Sequence, residues 1–441
     1  MSEHPETRAT VDDTGERQLS RNIAAAVDSL RESLLNLLQE LVRTPSVTGA
    51  EGDAQTVVAR RMRAMGLETD VWEPDPAALA PYAEAVGAFA SFAGRPNVVG
   101  TQHGSGGGRS LILNAHIDTV TPGDLTRWTH PPYSADIAGD RLFGRGACDM
   151  KAGLATNLVA LEAIRAAGYT LRGDLIVQSV ISEEDGGAGT LAAILRGYKA
   201  DAAIITEPTQ LAVIAAQGGS LVFALHVAGR SAHACVRDEG ESAIEAFAYL
   251  HAALRDFEEA RNSAIDHPLY ASIANKIPIN IGTIRGGDWP SSVPEWLVAE
   301  GRAGLVPGED MDIFRDQFVT AIDRAAQAHP WLRANPPRVE WFSGQFAPAE
   351  IAASAPIVQA VAHAHEVVTS QAATVEGATY GADMRHFLHT GQIPCLMYGA
   401  GDVRLAHYTG ESISLAELVT ATKTIAFTIA TWCGVDETAA T

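Results

Sequence analysis

Several apolar runs in this chain end on side chains able to bind a cation or move a proton. In Asn114-Ala-His116-Ile-Asp118-Thr119 an imidazole and a carboxylate stand two residues apart, so on a strand both face one side. One can ligate a metal while the other orients it, a carboxylate on the second ring nitrogen fixing the tautomer and raising ligand basicity. An ordinary buried histidine is the plainer alternative. In Gly144-Arg-Gly-Ala-Cys-Asp149-Met-Lys-Ala-Gly153 the glycines permit tight backbone approach, and Asp149 either binds a ligand or caps the helix that follows. Ile181-Ser-Glu183-Glu184-Asp-Gly-Gly places adjacent carboxylates after an apolar run. On a solvated loop they need nothing, but partly buried they need a cation. Thr206-Glu207-Pro208-Thr209 and Leu405-Ala-His407-Tyr-Thr-Gly-Glu411 add another acid and a second histidine in similar settings.

These segments require elements that bring distant positions together. Leu19 to Val42 has helical periodicity after a polar tail of about 18 residues, with Pro45 as its stop, and a second helix is expected near Ala54 to Met65. Asn97 to Thr101 and Leu111 to Ala115 read as strands of a hairpin joined by a glycine-rich turn at 104–108. Helix Gly153 to Ala167, strand Asp174 to Ile181, helix Ala188 to Leu195 and strand Ala202 to Thr206 then alternate as in a layered α/β domain. Its strand ends are where functional side chains gather.

From about Ser220 the order becomes strand, helix, two strands and helix, close to a split βαβ sandwich. The sequence predicts an insert at 218–337 within a catalytic domain of 1–217 and 338–441, with the strand Val339 to Phe342 leading back into the larger layer. Pro74 to Pro96 reads as a surface excursion.

The 53 acidic and 32 basic residues give a net charge of −21, which repels a phosphate backbone and disfavours nucleic acid or anionic membrane as partners. No run reaches the length of a spanning helix, and Met1 to Arg21 lacks the apolar core of a signal peptide, so a cytoplasmic protein is expected. The four cysteines are far apart and form no CxxC pair, which suggests free thiols rather than disulfides or a cysteine zinc site.

In this order and spacing, the HxD, GRGxxDMKxG, EE, TEP and AHxxxE segments resemble those of the dinuclear-zinc hydrolases that include acetylornithine deacetylase, succinyl-diaminopimelate desuccinylase, aminoacylase and carboxypeptidase G-type enzymes. The resemblance spans residues 30 to 430. It implies an α/β fold: a mixed-sheet, dinuclear-metal exopeptidase-like domain with an inserted α+β lid and dimerisation domain of βαββαβ, ferredoxin-like order. It further implies two divalent ions per subunit, zinc foremost, with manganese or cobalt also suited to an N/O donor set. Asp149 would bridge them, Glu184 and His407 completing one site and His116 and Glu207 the other. Glu183 would be the general base and Asp118 the partner of His116. His233, in Gly229-Arg-Ser-Ala-His233-Ala, would reach across a homodimer interface to the partner's metals, Asn280 would contact substrate, and Arg385 would bind a substrate carboxylate through its fork. The plainer readings of these three are a capping histidine, an edge-strand asparagine and a structural ion pair.

Some positions depart from the commoner pattern. Gly304 stands where many members carry a second carboxylate-binding arginine, Ser291 replaces a frequent asparagine, and AHYTGE differs from the usual AHTPDE. The run Gly286 to Glu295 is similar to the deacylase branch that includes formyl-aminopyrimidine deformylases. The expected activity is hydrolysis of a C–N bond in a small, carboxylate-bearing substrate, foremost deacylation of an N-acyl amino acid or amine. The alternatives are an aminohydrolase releasing ammonia from an aromatic amine such as an aminobenzoate, a carboxypeptidase or dipeptidase, and, least favoured, a noncatalytic relative.

Overall fold

The computed structural model describes residues 13–438. Leu111–His116 and Leu175–Val180 are buried along their whole length. Strands apolar on both faces belong inside a sheet covered by helices. They lie at the middle of a nine-stranded mixed sheet ordered Glu68–Trp72, Asn97–Gln102, Leu175–Val180, Leu111–His116, Ala202–Ile205, Cys395–Met397, Val213–Gln217, Ala349–Glu350, with Val375–Ala378 also pairing to Val213–Gln217. Four neighbours, Leu175–Val180, Leu111–His116, Ala202–Ile205 and Cys395–Met397, run parallel, so their carboxyl ends meet on one edge.

The hairpin expected between 97–101 and 111–115 does not form. Leu175–Val180 lies between those strands, antiparallel to the first and parallel to the second. The glycine-rich segment crosses the start of that strand, Ser105 and Gly106 donating N–H to the carbonyls of Leu171 and Arg172 at 2.9 and 2.8 Å. Its glycines serve close approach: a Cβ on Gly108 would lie 1.8 Å from the Cys433 carbonyl oxygen.

The N-terminal helix is two helices, Asp13–Ser29 and Arg31–Arg43, separated at Leu30. Of the expected polar tail, 1–12 fall outside the described residues, and Asp13 onward is already helical. Lys151–Ala166 is buried almost all round and packs against Leu415–Cys433 and the sheet. Its Lys151 is itself buried and donates Nζ to the carbonyls of Leu41 and Thr44, both at 2.9 Å, tying the end of the preceding helix to the turn around Asp149. Gly153 allows this helix to touch the end of Ala202–Ile205, since a Cβ there would stand 2.2 Å from the Thr206 carbonyl oxygen. The 74–96 excursion is anchored by buried Leu79, Val86 and Phe92. Among the described residues no helix is long and apolar enough to cross a membrane.

A second, four-stranded antiparallel sheet is ordered Ile279–Gly286, Trp296–Leu305, Gly219–Ala228, Arg338–Trp341. With helices Ala243–Ala264 and Met311–Ala328 it encloses its own core, in which the rings of Phe223, Phe314, Phe318 and Trp341 are in contact. The strand expected to lead back into the large layer instead pairs, at Arg338–Trp341, with the strand that opens the small sheet. Ile279–Gly286 is an edge strand and mostly exposed.

Candidate metal centre

The four parallel strand ends deliver most of the site. His116 ends its strand, Glu183 and Glu184 follow Leu175–Val180, Glu207 follows Ala202–Ile205, and His407 lies in the loop after Cys395–Met397. Asp149 comes from the turn before helix Lys151–Ala166, where the Asp149–Met150 peptide is cis. Asp149 presents a different oxygen to each imidazole. Oδ1 lies 3.0 Å from His116 Nε2, and Oδ2 lies 3.6 Å from His407 Nε2. Glu207 Oε1 is 3.8 Å from His116 Nε2, and Glu184 Oε2 is 3.0 Å from His407 Nε2.

His116 and Asp118 lie side by side, but their contact differs from the expected one. His116 Nδ1 donates to the Asp118 backbone carbonyl at 2.9 Å, while the Asp118 carboxylate is 3.6 Å away. That carboxylate is held elsewhere, accepting the amides of Glu183 and Glu184 at 3.1 Å each and the Thr48 hydroxyl at 3.0 Å. It therefore fixes the turn carrying both glutamates, while its backbone carbonyl, accepting from Nδ1, turns Nε2 toward Asp149 Oδ1 at 3.0 Å.

Opposite the ligands, Ser220, Val222, Arg302, Phe346 and Tyr380 close a cleft of about 310 Å³ that Asp149, Glu183, Glu184, Glu207 and His407 also line. Arg302 and Tyr380 escaped the sequence reading. The available signal for Arg302 was the lone cation, between Gly301 and Ala303, of a strand whose one other charged residue is Glu300. Arg302 donates to the Thr379 carbonyl at 3.2 Å, and its buried Nε has no partner. Gly304, two residues on, is hemmed in. A Cβ there would sit 2.9 Å from the Ile277 Cα, so no arginine fits without moving that backbone.

The other three expected residues lie outside this cleft lining. Arg385 is buried and its fork is already engaged, donating to the carbonyls of Ala382 at 2.6 Å and Gly186 at 2.7 Å while stacking 3.8 Å from the centre of the Phe346 ring. In this geometry it braces the 183–187 turn. Asn280 is exposed on the edge strand, opposite Arg302 in register. His233 is exposed beside Ser292, its Nδ1 accepting the Cys235 amide at 3.2 Å.

Electrostatics follow from burying so many acids. Burial raises Glu183 and Glu207 well above the usual carboxylate range; the charge of His116 opposes this and the neighbouring acids reinforce it. Burial opposes protonation of His116, but its bonds to Asp118 and Asp149 prevail and hold its pKa well above the usual value. The bond to Glu184 raises His407 to about 9. His116, Asp149 and Glu184 each offer a donor atom within 4.8 Å of one another. Among the described residues lining the cleft the one Lys or Arg is Arg302, on the far wall. Converging carboxylates and imidazoles without a counter-cation are the donor set of a hard or borderline divalent ion, and the residues fit one.

Residues 112–431 match the profile of Peptidase family M20/M25/M40. The chain is 30% identical over 435 residues to an N-formyl-4-amino-5-aminomethyl-2-methylpyrimidine deformylase of Bacillus subtilis, covering 92% of this chain and 96% of the relative. It is 29% identical over 348 residues to an acetylornithine deacetylase of Myxococcus xanthus, covering 77% and 84%. The fold matches that of human carnosine dipeptidase 1 with a TM-score of 0.74 at 15% identity, over 93% of this chain and 98% of that one.

Because His407 is protonated below about pH 9 in the metal-free chain, cation binding at neutral pH must expel protons and apparent affinity must rise with pH. Calorimetric titration of apoprotein with zinc or manganese, in buffers of different ionisation enthalpy, is expected to show net proton release at pH 7. Binding with no proton release would contradict this electrostatic account.

Proposed function

Because the chain belongs to peptidase family M20/M25/M40 and is a metal-dependent hydrolase, we propose that it removes the acyl group from an N-acyl amino acid or N-acyl amine by hydrolysing the amide bond. The observation that carries this is Glu183. Its carboxylate lines the cleft beside Asp149, Glu184 and Glu207, is only 8% exposed, and accepts no hydrogen bond among the described residues. Relatives named as a deformylase and a deacetylase support an amide as the bond attacked.

His116 and Glu207 would hold one divalent ion and Glu184 and His407 the other, with Asp149 shared. The bound pair supplies Lewis-acid polarisation of the scissile carbonyl and acidifies a water toward neutrality. Glu183 takes the proton of the attacking water and delivers it to the leaving nitrogen, a two-way role suited to a carboxylate whose affinity for protons burial has raised. Asp118 keeps Glu183 and Glu184 in place through their amides. Phe346, Tyr380 and Val222 wall the cleft and limit access of bulk water. Zinc is the first choice of metal, with manganese and cobalt accepted by the same donors.

Arg302 binds the substrate's carboxylate. This differs from the expectation for Arg385, whose donors already serve backbone carbonyls. The segment 218–337, extended by the strand Arg338–Trp341 that pairs with it, acts as lid and as the interface of a homodimer, with 1–217 and the remainder to 441 as catalytic domain. His233 enters the partner's cleft to stabilise the developing oxyanion, and Asn280 contributes from the same lid. The exposed His233 ring, with only Nδ1 engaged, supports this arrangement. Four free cysteines, three of them buried, fit a reducing cytoplasm.

Four experiments test this reading. Against a panel of N-acyl amino acids, N-formyl amines, dipeptides and aminobenzoates, the enzyme is expected to release carboxylic acid from the acylated compounds. Ammonia from the aminobenzoates would instead mark an aminohydrolase, and free C-terminal amino acids a peptidase. Glu183→Gln is expected to lower kcat by about a thousandfold with two metals per subunit retained by elemental analysis; undiminished turnover would remove Glu183 from proton transfer.

Arg302→Met is expected to raise KM about 10- to 100-fold for acid-bearing substrates, the loss of a charge-assisted contact, while leaving uncharged amides little changed. An equal effect on both classes would refute the carboxylate contact.

Mixing inactive His233→Ala and Glu183→Gln proteins under subunit exchange is expected to restore about a quarter of wild-type activity. Half the dimers are then mixed, and each mixed dimer holds one whole site. No recovery despite demonstrated exchange would place His233 outside the partner's site.

A further inference from the structure

The AHYTGE run ends on Glu411, which neither lines the cleft nor belongs to the ligand set. It is nonetheless buried, only 1% exposed, and its carboxylate is fully engaged. Oε1 accepts the consecutive backbone amides of Cys148 and Asp149 at 3.0 and 3.1 Å, and Oε2 accepts Arg145 at 2.5 Å. The Glu411 backbone carbonyl also accepts the Gly144 amide at 3.0 Å. Arg145 is buried in turn, donates to the Thr121 carbonyl at 3.3 Å and lies 5.2 Å from the centre of the Trp128 ring.

We infer that Glu411 is a positioning residue that fastens the turn carrying Asp149 to the loop carrying His407, and so sets the geometry with which the shared carboxylate meets its cations. It acts through the backbone of Asp149 rather than its side chain. The Asp149 side chain must direct its two oxygens at two different imidazoles, so a small rotation of its backbone misaims both. Arg145 at the beginning of the turn and the amides of Cys148 and Asp149 at its end are held by one carboxylate only four residues after His407. The closed set of bonds leaves little room for the two loops to move independently. Partners outside the ligand shell that orient ligands typically change metal affinity by about 10- to 100-fold.

This inference rests on the reading of Asp149 as the shared metal ligand. Its test is a competition titration of apoprotein with manganese or zinc against a chromophoric chelator, giving stoichiometry and both dissociation constants. Three proteins are compared: wild type, Glu411→Gln, and the double variant Arg145→Met/Glu411→Leu. The Gln variant keeps the shape and one acceptor oxygen, but its amide nitrogen then faces Arg145 or the turn amides, donor against donor. The double variant removes the buried pair without stranding a charge, a replacement that is often neutral or favourable for stability.

Both variants are expected to fold, by circular dichroism and thermal unfolding of the apoprotein, yet to bind metal at least about tenfold more weakly than wild type. Both metal sites should weaken, because Asp149 serves both. Wild-type affinities in the folded double variant would overturn the inference. Failure of that variant to fold would overturn it too, by showing that the pair supports the fold rather than the site. A wild-type protein that takes up no metal would instead refute the two-metal reading itself.

Discussion

The constraint on which this structure turns is the mutual repulsion of carboxylates held out of water. Asp149, Glu183, Glu184 and Glu207 converge with two imidazoles, and among the described residues lining the cleft the one guanidinium, that of Arg302, is on the other wall. Unpaired, such a cluster would protonate or splay apart, and burial together with the neighbouring acids pushes Glu183 and Glu207 upward while the bond to Glu184 raises His407, the direction expected of a site that favours added positive charge. Much of the surrounding architecture holds these groups together against that repulsion. Asp118 grips the 183–184 turn, Arg385 braces the same turn from behind, and Lys151 ties a neighbouring helix to the turn around Asp149.

The strand ends were legible in the sequence because largely apolar runs followed closely by His116, Glu183 or Glu207 have few physical explanations, and His407 was legible from the motif around it. Four parallel neighbours bring those positions to one edge. The strand order was not legible. Two strands flanking a glycine-rich segment suggest a hairpin, and nothing local reveals that Leu175–Val180, some sixty residues on, inserts between them. The close approach of Gly108 to the Cys433 backbone, which explains those glycines, is visible only once distant segments meet.

The cleft's far wall was hidden for a related reason. Motif reading favoured Arg385, an arginine inside a recognisable run, yet its guanidinium is occupied by the carbonyls of Ala382 and Gly186. Arg302 carries no motif. It reaches the cleft because the small sheet presents the face of Trp296–Leu305 that also bears Gly304, where the Ile277 backbone leaves no space for a side chain. Charge can therefore occupy that face one pleat earlier but not at 304, a packing fact that residue types do not disclose. Glu411 is similar: its residue type was plain, but its engagement with the Asp149 turn depends on tertiary contact.

The two imidazoles differ in their relation to solvent. His116 is 2% exposed on the central strand of the sheet, whereas His407 is 54% exposed on a loop, with its backbone in the left-handed region at φ 60°. A guest held at the His116 side would lie against buried strands, while one held at the His407 side would lie against an exposed loop. The two positions, alike in donor chemistry, are thus unequal in their access to solvent, one sealed within the sheet and the other open at its rim.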